Sequence, residues 1–541
     1  MFKWKEFDKT KEILSHSAHN QYRDELGQHH LYLRPNALLE WIEFLKDDLD
    51  FFTLVDLAAL SVNQDKFEVI YQLLNMGTHQ RLNIHIDLNR GEILPSLQHF
   101  FLNADWMERE QGEILGLTFD LKKDSLILPE HSSKTLRQTD VSFDDIYQDE
   151  PSSVPKLRIN PNKSEAPYPE ESYKWQSYDL FSPQTQGHFE SFICFDPVKV
   201  VDLKIKIGFY HQGFEKLLQS KDIFQVLHLV DKINFTSAPS LSIAWAKTIE
   251  EIFRIKIPER AQAIRIVLLE LARISNHLTV VASICKELDL PESILFLNLR
   301  EKIFELFEKY SGHRHSVNVV KMGGMREDLP HGWIVEYQTV SEMILKNLII
   351  IHNSLIGQRK FRSSLLGDSV NAQSILQWGV SGPAMRAAGL NFDLRKSQPF
   401  YFYHEIDFDI PVGINGTAYD RYLIRYEEIC QSLRITTQVI DNLPLGEIIP
   451  QSFNENYFEL IKVFSHLEQT GVWHYNSIES PSGEAGYLVK INEGILLERI
   501  KIKTPSYSLA QALPVLLKGL KEDQLAANIA SLGISRWEMD R

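Results

Sequence analysis

Apolar residues return along this chain at two spacings, and the spacing changes in blocks. In NALLEWIEFLKDDLDF (36–51), Leu38, Leu39, Ile42 and Leu45 fall on one face at helical spacing. FFTLVDLAALSV (51–62) and KFEVIYQLLNM (66–76) are apolar runs rich in residues that favour strands, and RLNIHIDL alternates strictly from Leu82 to Leu88. These blocks predict a small antiparallel sheet with a helix packed on one side, an α/β sandwich within residues 1–150.

From about 150 to 175 the pattern dissolves into DEPSSVPKLRINPNKSEAPYPEESYK, whose five prolines and polar residues predict a linker over 151–175. A strand-rich stretch over 188–210 follows, and helix dominates after it. Pro258 suits a first helical turn, and Ile264, Val267, Leu268, Leu271, Ile274 and Leu278 form an apolar stripe beyond it. SILFLNLREKIFELFEKYSG reads as a second amphipathic helix stopped at Gly312, and 335–357 and 417–443 as two more. Strands return around GYLVKINEGILLERIKIKTPS. The fold class is therefore α+β: the small sandwich, a linker, and over 176–541 a mostly helical domain with a small β-layer.

Composition narrows the function. At 541 residues the chain is long enough for two to four domains. A net charge of −15 speaks against a nucleic-acid partner. Three scattered cysteines, Cys194, Cys285 and Cys430, fit a reducing compartment and are too few for an iron–sulfur cluster held by this chain's own thiolates. The N-terminal stretch predicts no signal peptide. MILKNLIIIHNSLIG is interrupted by Lys346, Asn347, His352 and Asn353 and is too short to span a bilayer, so membrane association would come through partner subunits.

Longer strings carry a family resemblance. NADWMEREQGEILGLTF, with Trp106-Met107-Glu108-Arg109-Glu110, resembles the 30-kDa-type (C) subunit of respiratory complex I. GFYHQGFEK, PERAQAIRIVLLELARISNHL, MGGMREDLPHGW, GPAMRAAGLNFDLRKSQPF, FDIPVGINGTAYDRYLIRYEEICQSLRI and SIESPSGEAGY resemble, in order, the 49-kDa-type (D) subunit, and the likeness runs to Asp540-Arg541. Together they resemble the fused C/D subunit of bacterial NADH:quinone oxidoreductase. That resemblance implies a peripheral-arm subunit at the cytoplasmic face of the inner membrane. It would lie beside a B-type iron–sulfur subunit, other peripheral-arm subunits and the membrane arm, helping to form the quinone pocket and to couple redox chemistry to ion translocation. It implies no cofactor on this chain: quinone would sit at an interface, and the iron–sulfur cluster, NAD and FMN on partner subunits.

The resemblance also marks departures. The family loop with two histidines falls on FSPQTQGHFE, where Ser182 and Gln186 stand in their places. In LVDKINF, Asp231 matches, while Lys232 stands for Arg, Asn234 for Asp and Phe235 for the Tyr that donates to the quinone. Phe has no donor, and Ser does not titrate near neutrality as His does. Glu287 falls where an acid partners the loop His, and Ser316 where a cluster-proximal His is expected, with His315 one position off. The expected quinone-pocket set is thus Ser182, Gln186, Phe235 and Glu287, and the set near the B-type subunit or its cluster is Lys232, Arg386 and Ser316. Arg395 shares the interface and ion-pair role expected of Arg386. His211 matches a family histidine, Trp106 and Arg109 are expected at subunit contacts, and Asp540-Arg541 in a buried polar network. The family is related to nickel–iron hydrogenase large subunits, whose metal-binding thiols would fall on Asn234, Ser237, Ser535 and Glu538; none is a thiolate, which excludes that metal chemistry. The lost donors leave an alternative, a structural coupling subunit of a related ion-translocating complex without quinone or nickel–iron chemistry.

Overall fold

The computed structural model describes residues 18–24, 27–121, 126–127, 174–179, 190–450, 471–492 and 495–541. It divides into two units, Met1–Pro167 with Leu376–Gly379, and Tyr168–Ile375 with Val380–Arg541. The expected linker at 151–175 lies outside the described residues except for its last two positions.

In the first unit, β1 (Ala18–Arg23), β2 (His29–Leu33), β3 (Thr53–Ser61), β4 (Lys66–Asn75) and β5 (Gln80–Asn89) form one sheet in the order β1-β2-β5-β4-β3. The sheet is mixed, not antiparallel as expected: β2 and β5 run parallel, with His30 beside Asn83 and Tyr32 beside His85. The reason is α1 (Leu38–Asp47), a helical crossover that returns the chain in its original direction before the β3-β4-β5 meander begins. On α1, Leu38, Trp41, Ile42 and Leu45 are buried, whereas Leu39 is 40% exposed. Trp41 takes the position that spacing assigned to Leu39. A second helix, α2 (Ala104–Leu115), carries the Trp106–Glu110 string and ends on Gly116 in a left-handed conformation.

The alternation in β5 is present, but both faces are buried. Leu82, Ile84, Ile86 and Leu88 line the apolar side, while Asn83 and His85 are buried on the other. There a chain of polar contacts crosses the sheet. Asp24 Oδ2 lies 3.3 Å from His30 Nε2, His30 Nδ1 lies 2.8 Å from His85 Nε2, and His85 Nδ1 lies 3.2 Å from Glu68 Oε1. Tyr22 stacks on His30 and Tyr32 on His85.

The second unit begins with β6 (Lys174–Asp179), β7 (Glu190–Asp196) and β8 (Lys199–Lys206), an antiparallel sheet. The helices α4 (Glu259–Glu287), α5 (Glu292–Ser311), α6 (Trp333–Gly357) and α7 (Ala418–Asp441) match the expected blocks, and α3 (Ala238–Ile252) precedes them. Pro258 immediately precedes α4, and α5 stops on Gly312 with φ +75°. The predicted stripe on α4 understates its burial. Arg265, Glu270, Arg273 and His277 are as buried as the leucines, because α3, α5 and α7 pack around it. Among the described residues, α4 is the helix long and apolar enough to cross a membrane, and its apolar stretch is wholly inside the protein. The closing sheet is β9 (Trp473–Ser480), β10 (Gly483–Ile491) and β11 (Leu497–Lys503), antiparallel throughout. It packs on α3, where Trp245 meets Tyr487 edge-on and Tyr487 Oη donates to Leu241 O at 3.1 Å.

Candidate functional site

The LVDKINF segment leaves a short helix, Ile223–Val230, at Asp231 and re-enters helix through a single turn over Phe235–Ser237. Asn234 caps that turn: its Oδ1 accepts from Thr236 N at 3.0 Å and from Thr236 Oγ1 at 2.7 Å. This fixes Asp231 and Asn234 as buried residues and leaves Lys232 pointing outward with its side chain 53% exposed. Lys232 Nζ donates to Ser316 Oγ at 2.8 Å and to Asp231 Oδ2 at 3.2 Å. The structure thus joins two of the cluster-proximal candidates, 84 residues apart in sequence, in one hydrogen bond. Asp231 Oδ1 has no partner among the described residues, and burial raises this carboxyl above its ordinary range against the pull of Lys232. The residue that meets Lys232 is Ser316; His315 packs edge-on against Phe304, and burial lowers its pKa.

Behind Lys232, Asn234 Nδ2 donates to Glu538 Oε1 at 2.6 Å, and Ser506 Oγ bonds to the other carboxylate oxygen. Two of the four positions matched to hydrogenase thiols are therefore closed on each other by an amide–carboxylate pair. Burial raises the Glu538 carboxyl. Two residues on, Asp540 accepts from Gly208 N and Tyr210 N, both at 2.9 Å, and its carbonyl lies 3.2 Å from His211 Nδ1. Arg541 Nε bonds to Ile502 O. The C-terminal residues are pinned in a buried polar network, and His211 helps hold them there.

Arg386 lies elsewhere. It is fully buried, donating to Glu428 at 2.9 Å, to Glu479 at 2.8 Å and to Phe392 O at 3.1 Å. Its contacts among the described residues are internal, in keeping with the ion-pair role expected of it. Arg395 is equally buried, paired with Asp393 and Glu270. Burial opposes the ionisation of Glu270 and Asp393, yet the surrounding guanidinium groups hold both carboxyls down at about 2. Burial pulls His277, which faces Glu428 at 2.8 Å, down to about 4. Charges held this firmly do not change near neutrality, so Glu270, Asp393 and the arginines paired with them act as a scaffold.

Ser182 and Gln186 lie outside the described residues, and only the backbone of Phe235 is described. Glu287 ends α4, half-buried, with its carboxyl raised by burial and no hydrogen bond to Lys232 or Ser316. Spacing alone did not single out Arg421, Arg425 and Glu428. Their signal was present as three charged residues at i, i+4 and i+7 on one predicted helix face, a face that apolar neighbours mark as buried.

Comparison with known proteins agrees with this architecture. The family model described as "Respiratory-chain NADH dehydrogenase, 49 Kd subunit" matches residues 291–541, and that of the 30 Kd subunit matches 31–139. The chain is 30% identical to the C/D subunit of the NADH-quinone oxidoreductase of Bdellovibrio bacteriovorus, over 92% of each chain. It is 26% identical to the corresponding C/D subunit of Acinetobacter baylyi, over 94% of this chain and 92% of that one. With the separate D subunit of the Leptospira biflexa oxidoreductase it shares 33% identity, over 66% of this chain and 92% of that one. The chain therefore belongs to the fused C/D subunits of NADH-quinone oxidoreductase, complex I, with a 30-kDa-type unit and a 49-kDa-type unit in one polypeptide.

Proposed function

We propose that this C/D subunit works in the peripheral arm of its complex, at the cytoplasmic face of the membrane, forming one wall of the quinone pocket against the iron–sulfur subunit. The chain itself holds no cofactor in this reading. NAD, FMN and the clusters belong to partner subunits, and quinone is the substrate at the interface. Reduction adds two electrons from the partner's cluster and two protons to the quinone oxygens, giving the quinol. The chain's own contribution is to supply or steady those protons.

The observation that carries the reading is the Lys232–Ser316–Asp231 group: a cation and a carboxylate on the segment matched to the family's headgroup site, joined to the distant Ser316 hydroxyl. Lys232 brings a positive charge and a proton to an exposed position, Ser316 orients it, and Asp231 holds it from the buried side. Coupling to ion translocation would pass from this segment through Asn234 and Glu538 to the pinned C-terminus. The alternative, a coupling subunit without quinone turnover, draws on Phe235, which removes a hydroxyl donor, and on Asn234, closed on Glu538.

The test uses the assembled complex in its membrane, with Lys232→Met and Ser316→Ala. Inhibitor-sensitive NADH:quinone reduction should fall on the order of 10²-fold for K232M and less for S316A. NADH oxidation by an artificial acceptor should be unchanged. Unaltered quinone reduction in K232M would remove Lys232 from the pocket. An intact wild-type complex with no inhibitor-sensitive quinone reduction would establish the alternative.

A further inference from the structure

Arg421 and Arg425 lie one turn apart on α7, each about 1% exposed, and neither makes an ion pair with a carboxylate among the described residues. Arg421 donates to Ser531 Oγ at 2.8 Å, to Gly416 O at 2.8 Å and to Asn528 O at 3.5 Å, all uncharged acceptors. Arg425 donates from Nη2 to Leu532 O at 3.1 Å, while its Nε and Nη1 have no hydrogen-bond partner among the described residues. The nearby acids are committed elsewhere. Glu428 gives one oxygen to Arg386 and the other to His277. Asp420 closes the N-terminal capping box of α7 with Thr417.

A charge count makes the same point. The buried network holds Arg273, Arg386, Arg395, Arg421 and Arg425 against Glu270, Asp393, Glu428 and Glu479. The fourth acid is the weakest counter-charge, because burial raises the Glu479 carboxyl. Three of the guanidinium groups share these four acids, and the two on α7 have none in contact. Burial pulls Arg421 down to about 9 and Arg425 to about 10, which still leaves both cationic at neutral pH. Buried water can satisfy an orphaned N–H, but it carries no charge, and an unpaired buried charge is among the costliest features a fold can contain.

We propose that the Arg421–Arg425 pair is a binding site for a small monovalent anion, a halide or a short carboxylate, taken up inside the helical domain. The anion lies against Nε or Nη1 of Arg425. The Nη2 side is closed by the Leu532–Gly533 backbone, where even a methyl on Gly533 would come within 3.1 Å of that nitrogen. The site serves folding and rigidity of the segment that carries the C-terminus, and shares no residue with the Lys232 group.

Two measurements test it. Crystals of the full chain or its complex grown in bromide should show an anomalous peak in hydrogen-bonding contact with Arg425 Nε or Nη1. At fixed ionic strength, replacing gluconate by bromide or formate should raise the thermal midpoint of the wild-type chain by a few degrees. Arg425→Met should lose that rise, while its midpoint in gluconate stays equal to or above that of wild type. A response to bromide alone identifies a halide site, and a response to formate alone a carboxylate site. Ordered water only at Arg425, together with no difference between the anions, overturns the proposal. The bromide map decides the matter even if R425M does not fold.

Discussion

The two units bury polar groups in opposite ways. Across the first unit's sheet run Asp24, His30, His85 and Glu68, a chain centred on two imidazoles, the side chain whose ordinary titration lies closest to neutrality. At the heart of the second unit, guanidinium groups face carboxylates held at about 2, with His277 kept neutral. Burial holds the His85 imidazole of the first arrangement below its ordinary value, whereas in the second the guanidinium groups keep Glu270 and Asp393 ionised. Breaking either costs stability.

The largest effect is expected where fixed charge is removed. Glu428→Gln leaves Arg386 short of a counter-charge and should destabilise the second unit by about 3–5 kcal/mol, read by hydrogen exchange in α4 and α7 peptides. If the loss is under about 1 kcal/mol, the network is not a scaffold.

Next comes Glu108, whose oxygens accept from Ser96 Oγ, Leu97 N and Gln98 Nε2. Burial outweighs these donors and pushes its carboxyl up to about 7. The raised folded pKa means that its stabilising contribution is full below the unfolded value near 4.5 and is lost as pH rises through about 7. Wild type should lose on the order of 3 kcal/mol in the first unit over that window relative to Glu108→Gln. Parallel pH profiles for the two chains would refute the shift.

His85 has the opposite sign. Burial depresses it, so its contribution is present above about 6.5 and is lost as pH falls through the lower folded value. His85→Gln should remove that acid-side loss and cost about 1–3 kcal/mol at pH 8, by leaving Glu68 and His30 short of partners. The smallest effect is expected at Leu39: a change to Ser should stay within about 0.5 kcal/mol, because the side chain lies on the open face of α1.

These contrasts show where the sequence was legible. Helix limits such as Gly312, and the strands around 82–88 and 483–503, could be read because local spacing and backbone chemistry set them. The polar network at the C-terminus was also foreseen, through the family likeness at Asp540-Arg541. Local pattern could not reveal that α4 is enclosed on every side, since a helix records one stripe and not how many neighbours surround it. Nor could it show that Asn83 and His85 face a buried surface, since alternation marks two faces without saying what covers the second. The parallel β2–β5 pairing depends on the direction imposed by the α1 crossover.

By itself, then, the chain's sequence determined the periodic elements, the α+β class and, through its ordered motifs, the complex I C/D family. Those features are local, or are carried by residue identity. Only the tertiary structure decided that Lys232 meets Ser316 and not His315, that Arg386 is buried, and that Arg421 and Arg425 make no ion pair with a carboxylate among the described residues. Each of those depends on which distant segment arrives beside a side chain, and burial then sets whether its charge is paired, shifted or left over.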